Sequence, residues 1–244
     1  MFHRRQFLVT ASAALAVTAV GARAAAPKET VAFIGTGKVA SIVGKTLANQ
    51  GYTVIFGSRT PDSDKVKELL KEVGHGASAA ASKDAVAKAQ MVVLAVPGGV
   101  AVETAGSLGD LNGKLVLDVT NNIKIENGYV APIDGPSTAE QIQTMFPKAK
   151  VVKGLNTLNV MVMANPKMGG DHVTCPVAGD DKEAKAKVIG IIQGMGLEAL
   201  DVGPIVGARY IENMERMNIG FRLYAPGLDT DFNIHVRGTR REKL

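Results

Sequence analysis

The chain has 244 residues, of which 46% are hydrophobic and 21% charged, and this composition excludes a disordered chain and a bundle of membrane helices. Its length suits one large α/β domain, alone or with a small appendage. The formal net charge at pH 7 is +5, but no basic patch with interleaved aromatic residues accompanies it, so we expect no nucleic-acid partner.

The first 24 residues predict an export signal. Arg4 and Arg5 precede a moderately apolar stretch from Phe7 to Val20, and residues 22–25 (ARAA) have the small-x-small pattern of a cleavage site. This arrangement resembles a twin-arginine signal. A twin-arginine signal predicts a periplasmic protein. Because the apolar stretch is shorter than the ~20 residues that span a bilayer, we expect no membrane span in the mature chain. An uncleaved signal that anchors the protein is the alternative.

The stretch from residue 30 to residue 40 (TVAFIGTGKVA) predicts the first βα unit of a dinucleotide-binding domain. A β-prone apolar run leads into Gly35, Gly37 and Ala40 at the spacing G-x-G-x-x-A, and a helix is predicted over Val39–Leu47. Gly35 permits a tight turn, Gly37 lets the backbone approach a pyrophosphate, and Ala40 lets the helix pack on the strand. The free N–H groups at the start of that helix would then face the phosphates.

The residues after the second predicted strand, Tyr52–Phe56, indicate NADP rather than NAD. A fold that selects NAD places Asp or Glu ~20 residues past the glycines, whereas this chain has Ser58 and Arg59 there. A guanidinium pairs bidentately with a 2′-phosphate, which a carboxylate would repel. Lys65 is a further candidate for the same phosphate. The alternative for Arg59 is a solvated position in a turn.

Strand and helix patterns alternate through the rest of the chain and predict a Rossmann-like α/β fold, a doubly wound, mainly parallel sheet with a C-terminal helical extension. We expect an NADP-binding domain over residues 28–165, followed by a sheet extension and a C-terminal helical cap over residues 166–244. The other predicted helices are Pro61–Val73, a short helix capped by Ser82, Ser137–Met145, Asp181–Met195 and Pro204–Tyr224. The other predicted strands are Met91–Val96, Lys114–Asp118, Ala149–Val152, Val173–Ala178 and Leu197–Val202.

The carboxyl ends of parallel strands are where such a sheet binds its ligands. Pro97 interrupts the chain directly after one predicted strand, and we expect its turn to contact the middle of the dinucleotide. Asn121 follows the next strand and offers the donors and acceptors that a nicotinamide amide needs. These two positions extend the predicted site across the sheet edge.

Several absences narrow the reaction class. The sequence has no H-E-x-x-H, no second cysteine, no G-x-S-x-G and no G-x-x-x-x-G-K-[ST], which argues against a metal site, a serine nucleophile and a P-loop. Lys124 and Lys153 are interpreted as solvated side chains, Asp118 as a capping or turn residue, and Cys175 as a small buried hydrophobe. Since no general acid emerges, the catalytic residues stay unknown. Hydride exchange between two cofactors fits, because the protein then mainly orients them and excludes water.

Seven motifs, in order from about Lys28 to the C-terminus, together resemble the family of NADP-dependent oxidoreductases that use the deazaflavin coenzyme F420. The motifs are IGTGKVA, FGSRTPDS, VVLAVP, LDVTNN, VVKGLNTL, AGDD and DVGPI-x-x-AR. The chain is also similar to the nucleotide domain of membrane ferric reductases and, more distantly, to pyrroline-carboxylate reductases.

The resemblance implies an enzyme that uses NADP(H), with a deazaflavin (F420) or a flavin as its second substrate. The implied cofactor contacts are Thr36, Gly37, Lys38 and Val39 at the pyrophosphate, Ser58 and Arg59 at the 2′-phosphate, Val96, Pro97 and Val100 along the dinucleotide, and Gly154 beside the nicotinamide. Leu155, Asn156 and the C-terminal helix would border the acceptor pocket. Two alternatives stay open: a non-catalytic NADP-binding module that serves a membrane ferric-type reductase, and an imine or carbonyl reductase. A homodimer through the C-terminal helices also stays open.

Overall fold

A computed structural model describes residues 28–131, 135–169, 173–224 and 233–236 of the chain. The twin-arginine pattern and the cleavage site lie outside the described residues, so the export signal stays a prediction. Residues 237–244 of the C-terminal tail also lie outside the described residues.

Strands and helices alternate through the described residues. The strands are β1 Lys28–Ile34, β2 Tyr52–Ser58, β3 Ser78–Ala81, β4 Met91–Leu94, β5 Leu115–Asp118, β6 Ile125–Glu126, β7 Tyr129–Val130, β8 Lys150–Lys153, β9 Thr174–Gly179 and β10 Glu198–Asp201. The helices are α1 Lys38–Asn49, α2 Asp64–Val73, α3 Ser82–Lys88, α4 Ala101–Ser107, α5 Thr138–Met145, α6 Val160–Ala164, α7 Lys182–Gly194 and α8 Ala208–Tyr224.

One sheet of eight strands has the order β10-β9-β8-β5-β4-β1-β2-β3. Within the part of the sheet ordered β8-β5-β4-β1-β2-β3, every pair of adjacent strands is parallel. Strand β9 is antiparallel to β8, and β10 is parallel to β9. This mainly parallel sheet with alternating helices confirms the predicted Rossmann-like fold. Because the chain leaves β1 toward β2 and returns to pair β4 on its other side, the sheet has a switch point there, where ligands bind in such folds.

The sheet buries both of its faces. Along β1, Val31 and Phe33 belong to the core on the side of α1, whereas Ala32 and Ile34 belong to the core beneath α3 and α4. Each of these four side chains is at most 2% exposed. All four residues of β4 are buried as well, which is why its sequence is continuously apolar instead of alternating.

Two small residues let helix α1 pack closely on the sheet. Ala40 is fully buried, and a Cβ atom at Gly44 would lie only 2.7 Å from Cζ of Phe56. The rings of Phe33 and Phe56 fill the space beneath the helix, with their centroids 5.5 Å apart. This packing fixes the start of α1 over the carboxyl end of β1.

The sequence analysis missed several short elements and misplaced one cap. Strand β3 reads SAAA, and alanine has little intrinsic preference for strands, so its pairing with β2 decides the conformation. The hairpin of β6 and β7 and the helix α6 are too short to show a period. Ser82 is wrong as a cap, because β3 extends to Ala81 and the helix therefore begins at Ser82 itself.

The second section of the chain continues the same sheet through β9 and β10, as the sequence analysis expects. The predicted helix after Pro204 divides into a 3-10 turn at Ile205–Gly207 and the long helix α8. Searching the described residues gives no helix with both the length and the apolar character needed to cross a membrane. The same residues contain no group of three or more His, Cys, Asp or Glu that could hold a metal ion.

Candidate functional site

A cleft of about 760 Å³ lies at the carboxyl ends of β1, β2 and β4. It contains most of the side chains and turns that the sequence analysis assigns to the cofactor. The predicted site residues that line it are Gly35, Thr36, Gly37, Ser58, Arg59, Lys65, Val96, Pro97 and Val100. A volume of this size is typical of small-molecule and cofactor sites. The structure therefore brings together residues that are up to 65 positions apart in the chain.

The first glycine of the turn is required by the fold itself. Gly35 has a φ of +120°, and a Cβ atom there would lie 2.3 Å from the carbonyl oxygen of Ala95. No other residue fits this close approach between the end of β1 and the end of β4. Its backbone N–H donates to the carbonyl of Gly57 across the sheet edge at 3.3 Å.

The second glycine is not required by the free protein. Gly37 has an ordinary φ of −83°, and a Cβ atom added there would meet nothing within 4 Å. The open space belongs to the cleft. A small residue at this position therefore preserves room for a bound group rather than for another part of the chain.

Replacing Gly37 with alanine should separate binding from folding. We expect the free energy of unfolding to fall by no more than about 1 kcal/mol, because alanine is a poorer N-cap than glycine but also restricts the unfolded chain. We expect NADPH affinity to fall roughly tenfold or more, because the added methyl group occupies the approach to the phosphates. Urea denaturation and isothermal titration calorimetry measure the two effects. Gly190→Ala, in the middle of α7 with nothing within 4 Å, is the control and should bind normally.

The N-terminus of α1 offers backbone donors to the cleft. Gly37 is its N-cap and provides no side-chain hydrogen bond, and the first turn contains no acidic residue. The first N–H groups of the helix therefore stay available, with the positive end of the helix dipole behind them. The side chains of Lys38 and Val39 do not line the cleft. Any contact that these two residues make with phosphate is therefore expected through their backbone N–H groups.

The segment from the end of β2 to the first turn of α2 places two cations at the rim of the cleft. Arg59 and Lys65 are both exposed, and neither forms an ion pair with any carboxylate among the described residues. Ser58 accepts a hydrogen bond at its Oγ from the backbone N–H of Thr60 at 3.1 Å, which closes the turn that carries Arg59. Positive charge without an internal partner suits a phosphate group.

The cleft also contains polar residues that the sequence analysis missed. Thr60 and Ser63 add hydroxyl groups beside Arg59, and Glu103 adds a carboxylate on α4. Thr60 and Ser63 stand in the same motif as Arg59, so the pattern SRTPDS contained the signal. Nothing in the local sequence distinguishes Glu103 from an ordinary exposed helix residue.

Besides Lys38 and Val39, two further predicted site residues do not line this cleft. Gly154 is buried, and a Cβ atom there would touch core side chains of Ile192 and Val177 at 3.7 Å. Asn121 already pairs with Asn156, since its Nδ2 donates to the Asn156 carbonyl at 2.8 Å and its Oδ1 accepts from Asn156 Nδ2 at 2.9 Å. The amide of Asn121 therefore uses one N–H and one oxygen lone pair within the protein, which leaves its other N–H and lone pair for a ligand.

A buried charge cluster lies at the carboxyl ends of β5 and β8. Lys153 Nζ lies 2.9 Å from Oδ2 of Asp118 and 3.0 Å from Oε1 of Glu212, and these side chains are at most 2% exposed. The interpretation of Lys153 as solvated is wrong, because β8 lies inside the sheet with both faces covered. The solvated position of Lys124 is confirmed by a side-chain exposure of 71%. Asp118 does hold a turn, since its Oδ1 accepts from Thr120 N and Oγ1.

Burial sets the proton affinity of Glu212. Burial raises the pKa of this carboxyl above its ordinary value. The positive charge of Lys153 lowers the pKa, and the negative charge of Asp118 raises it further. One ammonium group thus faces two carboxyl groups away from water, and the second negative charge is disfavoured.

This cluster predicts a pH dependence of stability. Folding raises the pKa of Glu212 above its ordinary value of 4.5. The contribution of Glu212 to the free energy of unfolding is therefore fully present below pH 4.5, and it is lost as the pH rises through the pKa of the folded state. Glu212→Gln keeps the shape without the titration. Relative to wild type, we expect the variant to gain stability as the pH increases, measured by urea denaturation from pH 4.5 upward. A difference independent of pH would contradict the assignment.

The cysteine is confirmed as a small buried hydrophobe. Cys175 is fully buried in β9, and burial raises the pKa of its thiol to about 12. Its sulfur accepts a hydrogen bond from the backbone N–H of Leu155 at 3.3 Å. A thiol that stays protonated has little nucleophilic reactivity, so Cys175 has a packing role.

Comparison with known proteins identifies the family. The family model described as "NADP oxidoreductase coenzyme F420-dependent" matches residues 30–122, the region that contains the cleft. A solved structure from Arthrobacter sp. FB24, named as a candidate F420-dependent NADP-reductase, is 32% identical. The similarity covers 86% of this chain and 100% of that chain, with a TM-score of 0.75. The chain belongs to the F420-dependent NADP oxidoreductase family.

Other similar proteins carry out different reactions on related folds. The human metalloreductase STEAP2 is 30% identical over 194 residues, which cover 78% of this chain and 36% of that protein. The chain thus spans little more than a third of the length of the metalloreductases that it matches. A reductive aminase from Aspergillus terreus, solved with NADPH, is 20% identical over 81% of this chain and 63% of that one, with a TM-score of 0.60. At that identity the likeness concerns the fold alone.

Proposed function

We propose that this family member transfers hydride between NADP(H) and a deazaflavin or flavin-like acceptor. The observation that carries the proposal is the grouping of Arg59 and Lys65, without internal partners, beside the uncapped start of α1 in one cleft. The two cations suit a 2′-phosphate, and the helix start suits the pyrophosphate. The family assignment supports the same cofactor.

The protein contributes binding and orientation to this reaction. When bound, NADPH supplies the hydride, and the acceptor takes a proton from water. Among the described residues, the titratable side chains that line the cleft are Arg59, Lys65 and Glu103, which lie after β2, in α2 and in α4 rather than at the ends of β5 or β8. Catalysis then rests on holding the two rings together and on excluding water.

Turnover with a panel of acceptors tests this proposal. NADPH oxidation is measured with coenzyme F420, 5-deazariboflavin, FMN, a quinone and ferric citrate. We expect turnover with deazaflavin or flavin acceptors and a strong preference for NADPH over NADH. Tight NADPH binding without oxidation by any acceptor would contradict an enzyme and favour a binding module.

The second candidate is a non-catalytic NADP-binding module that serves a membrane metalloreductase. The similarity to human STEAP2, a named metalloreductase, favours it specifically. This candidate predicts that the isolated protein reduces no ferric chelate, whereas addition of membranes from the source organism restores NADPH-dependent ferric reduction. An imine or carbonyl reductase, the remaining alternative, would need a proton donor, and Glu103 is the one carboxylate among the described residues that line the cleft.

Export and assembly complete the proposal. We propose export by the twin-arginine route to the periplasm. Amino-terminal sequencing of the exported protein tests this, and a sequence that begins at Met1 would contradict cleavage of the signal.

We also propose a homodimer through α8, because Tyr210 is 72% exposed and Met217 is 48% exposed on this helix. Light scattering of the purified protein measures the mass directly, and a monomer would contradict the dimer.

A further inference from the structure

Helix α8 turns two charged residues toward the protein interior. Glu212 and Arg216, one helical turn apart, are 1% and 7% exposed, whereas Tyr210 and Met217 on the same helix face solvent. Buried ion pairs are seldom more stabilising than apolar side chains of the same size. A packing role alone therefore gives no reason for charges on this face.

The contacts of these two residues converge on one turn. Glu212 holds Lys153, whose Nζ donates to the carbonyl of Thr120 at 2.5 Å. Arg216 donates from Nη2 to the carbonyl of Asn122. The turn of residues 120–122 follows directly after β5, so both of its ends are fixed by cations from β8 and α8.

The middle of the same turn is fixed from two sides. The side chain of Asn121 pairs with Asn156, whose Nδ2 also approaches the carbonyl of Ile211 on α8 at 3.4 Å. The carbonyl oxygen of Asn121 packs against Gly98, where a Cβ atom would lie only 2.0 Å away. Gly98 follows Pro97, which lines the cleft, and we call these two residues the Pro97–Gly98 wall. The 120–122 turn packs behind this wall.

The supported wall lies far from the phosphate-binding cations. In the order β5-β4-β1-β2, the turn after β5 is three strand spacings, roughly 14 Å, from the end of β2 that carries Arg59. A dinucleotide that places its 2′-phosphate at Arg59 extends its nicotinamide half toward β4 and β5. A shift of the 120–122 turn should therefore disturb the nicotinamide half and leave the adenosine half in place.

We infer that Glu212 and Arg216 are positioning residues for hydride transfer, because through the 120–122 turn they hold the Pro97–Gly98 wall that orients the nicotinamide. The inference rests on the proposed function. Neither residue lines the cleft. They act through the backbone carbonyls of Thr120 and Asn122, with Lys153 as the link for Glu212.

The test uses the full protein and compares binding of the adenosine half of the cofactor with hydride transfer from its nicotinamide half. Arg216→Met removes the hydrogen bond to the Asn122 carbonyl in the turn and a second one to the Ala131 carbonyl, and Arg216→Lys restores a donor at this position. We expect the affinity for 2′,5′-ADP, the adenosine half of NADP, to stay within about twofold of wild type in both variants. With 5-deazariboflavin as acceptor, the rate of NADPH oxidation at saturation should fall roughly tenfold or more in Arg216→Met and recover partly in Arg216→Lys.

The stereochemistry of transfer gives a readout that a structural role would not move. Wild type should transfer hydrogen from one face of C4, measured with NADPH deuterated at the 4R or the 4S position. Arg216→Met should show mixed transfer. Arg209→Met on the same helix is the control, since Arg209 is a half-exposed partner of Glu140 and forms no hydrogen bond to the turn. Glu212→Met removes the oxygen that holds Lys153 and Thr138, and it serves as the second variant if Arg216→Met does not fold.

The outcomes are distinguishable. An unchanged rate and unchanged stereochemistry in the folded Arg216 and Glu212 variants would overturn the inference, as would equal losses for 2′,5′-ADP and NADPH. Wild-type protein that binds neither 2′,5′-ADP nor NADPH would instead overturn the proposed function.

Discussion

Replacing Arg59 with alanine should weaken NADPH binding by about 2–4 kcal/mol, which corresponds to a loss of roughly 30-fold to several hundredfold. In the free protein Arg59 is exposed and has no carboxylate partner among the described residues, so its charge is available to a ligand. The bound 2′-phosphate would lose its bidentate partner in the variant. NADH lacks this phosphate, and its affinity should change little. Calorimetric titration with both nucleotides measures the two affinities.

Lys71→Ala provides the matched control for Arg59→Ala. Lys71 is an exposed cation of α2 that does not line the cleft. Its loss changes the net charge by the same amount, so equal effects of the two substitutions would reveal general attraction rather than a phosphate contact. If wild type bound NADH as tightly as NADPH, the assignment of Ser58 and Arg59 to the 2′-phosphate would be wrong.

Replacing Lys153 with methionine should lower the free energy of unfolding by about 3–5 kcal/mol. The substitution keeps the approximate volume but leaves Asp118 and Glu212 as buried carboxyl groups without their cation. It also leaves the carbonyl of Thr120 without its donor. Urea denaturation at neutral pH measures the loss, and the midpoint should fall with little change in slope.

Lys124→Met is the control for this second substitution. The side chain of Lys124 is 71% exposed and pairs with Glu126 on the surface, so its loss should cost less than about 0.5 kcal/mol. Similar costs at the two positions would mean that Lys153 is solvated in solution.

These two lysines illustrate what local sequence can predict. The glycine turn and the Ser58-Arg59 pair were recognisable because each is a short pattern whose neighbours along the chain define its place in the fold. Lys153 ends a strand, just as Lys124 lies near one, and nothing within a few residues separates them. Their difference arises from where β8 lies in the sheet and from the distant Asp118 and Glu212.

Helix α8 is a second case in which local sequence does not predict where charged side chains lie. Among the charged residues of this helix, Glu212 and Arg216 face the interior, whereas Tyr210 faces outward. Partners for these charges come from β8 and from the turn after β5, which are 59 and 94 positions away in the chain. Periodicity describes which residues share a face, but it does not say which neighbour that face meets. The strand β3 was missed for a related reason, since pairing rather than composition decides it.

The uncapped start of α1 has a practical consequence for the solvent in which the protein is studied. Donors that no side chain satisfies will attract small inorganic anions as well as a dinucleotide. Phosphate and sulfate in the buffer should therefore compete with NADPH, and its apparent dissociation constant should rise with their concentration at constant ionic strength. The same ions should raise the melting temperature of the protein without nucleotide, because they bind the folded chain. Affinities measured in phosphate buffer will thus understate what the cleft can hold.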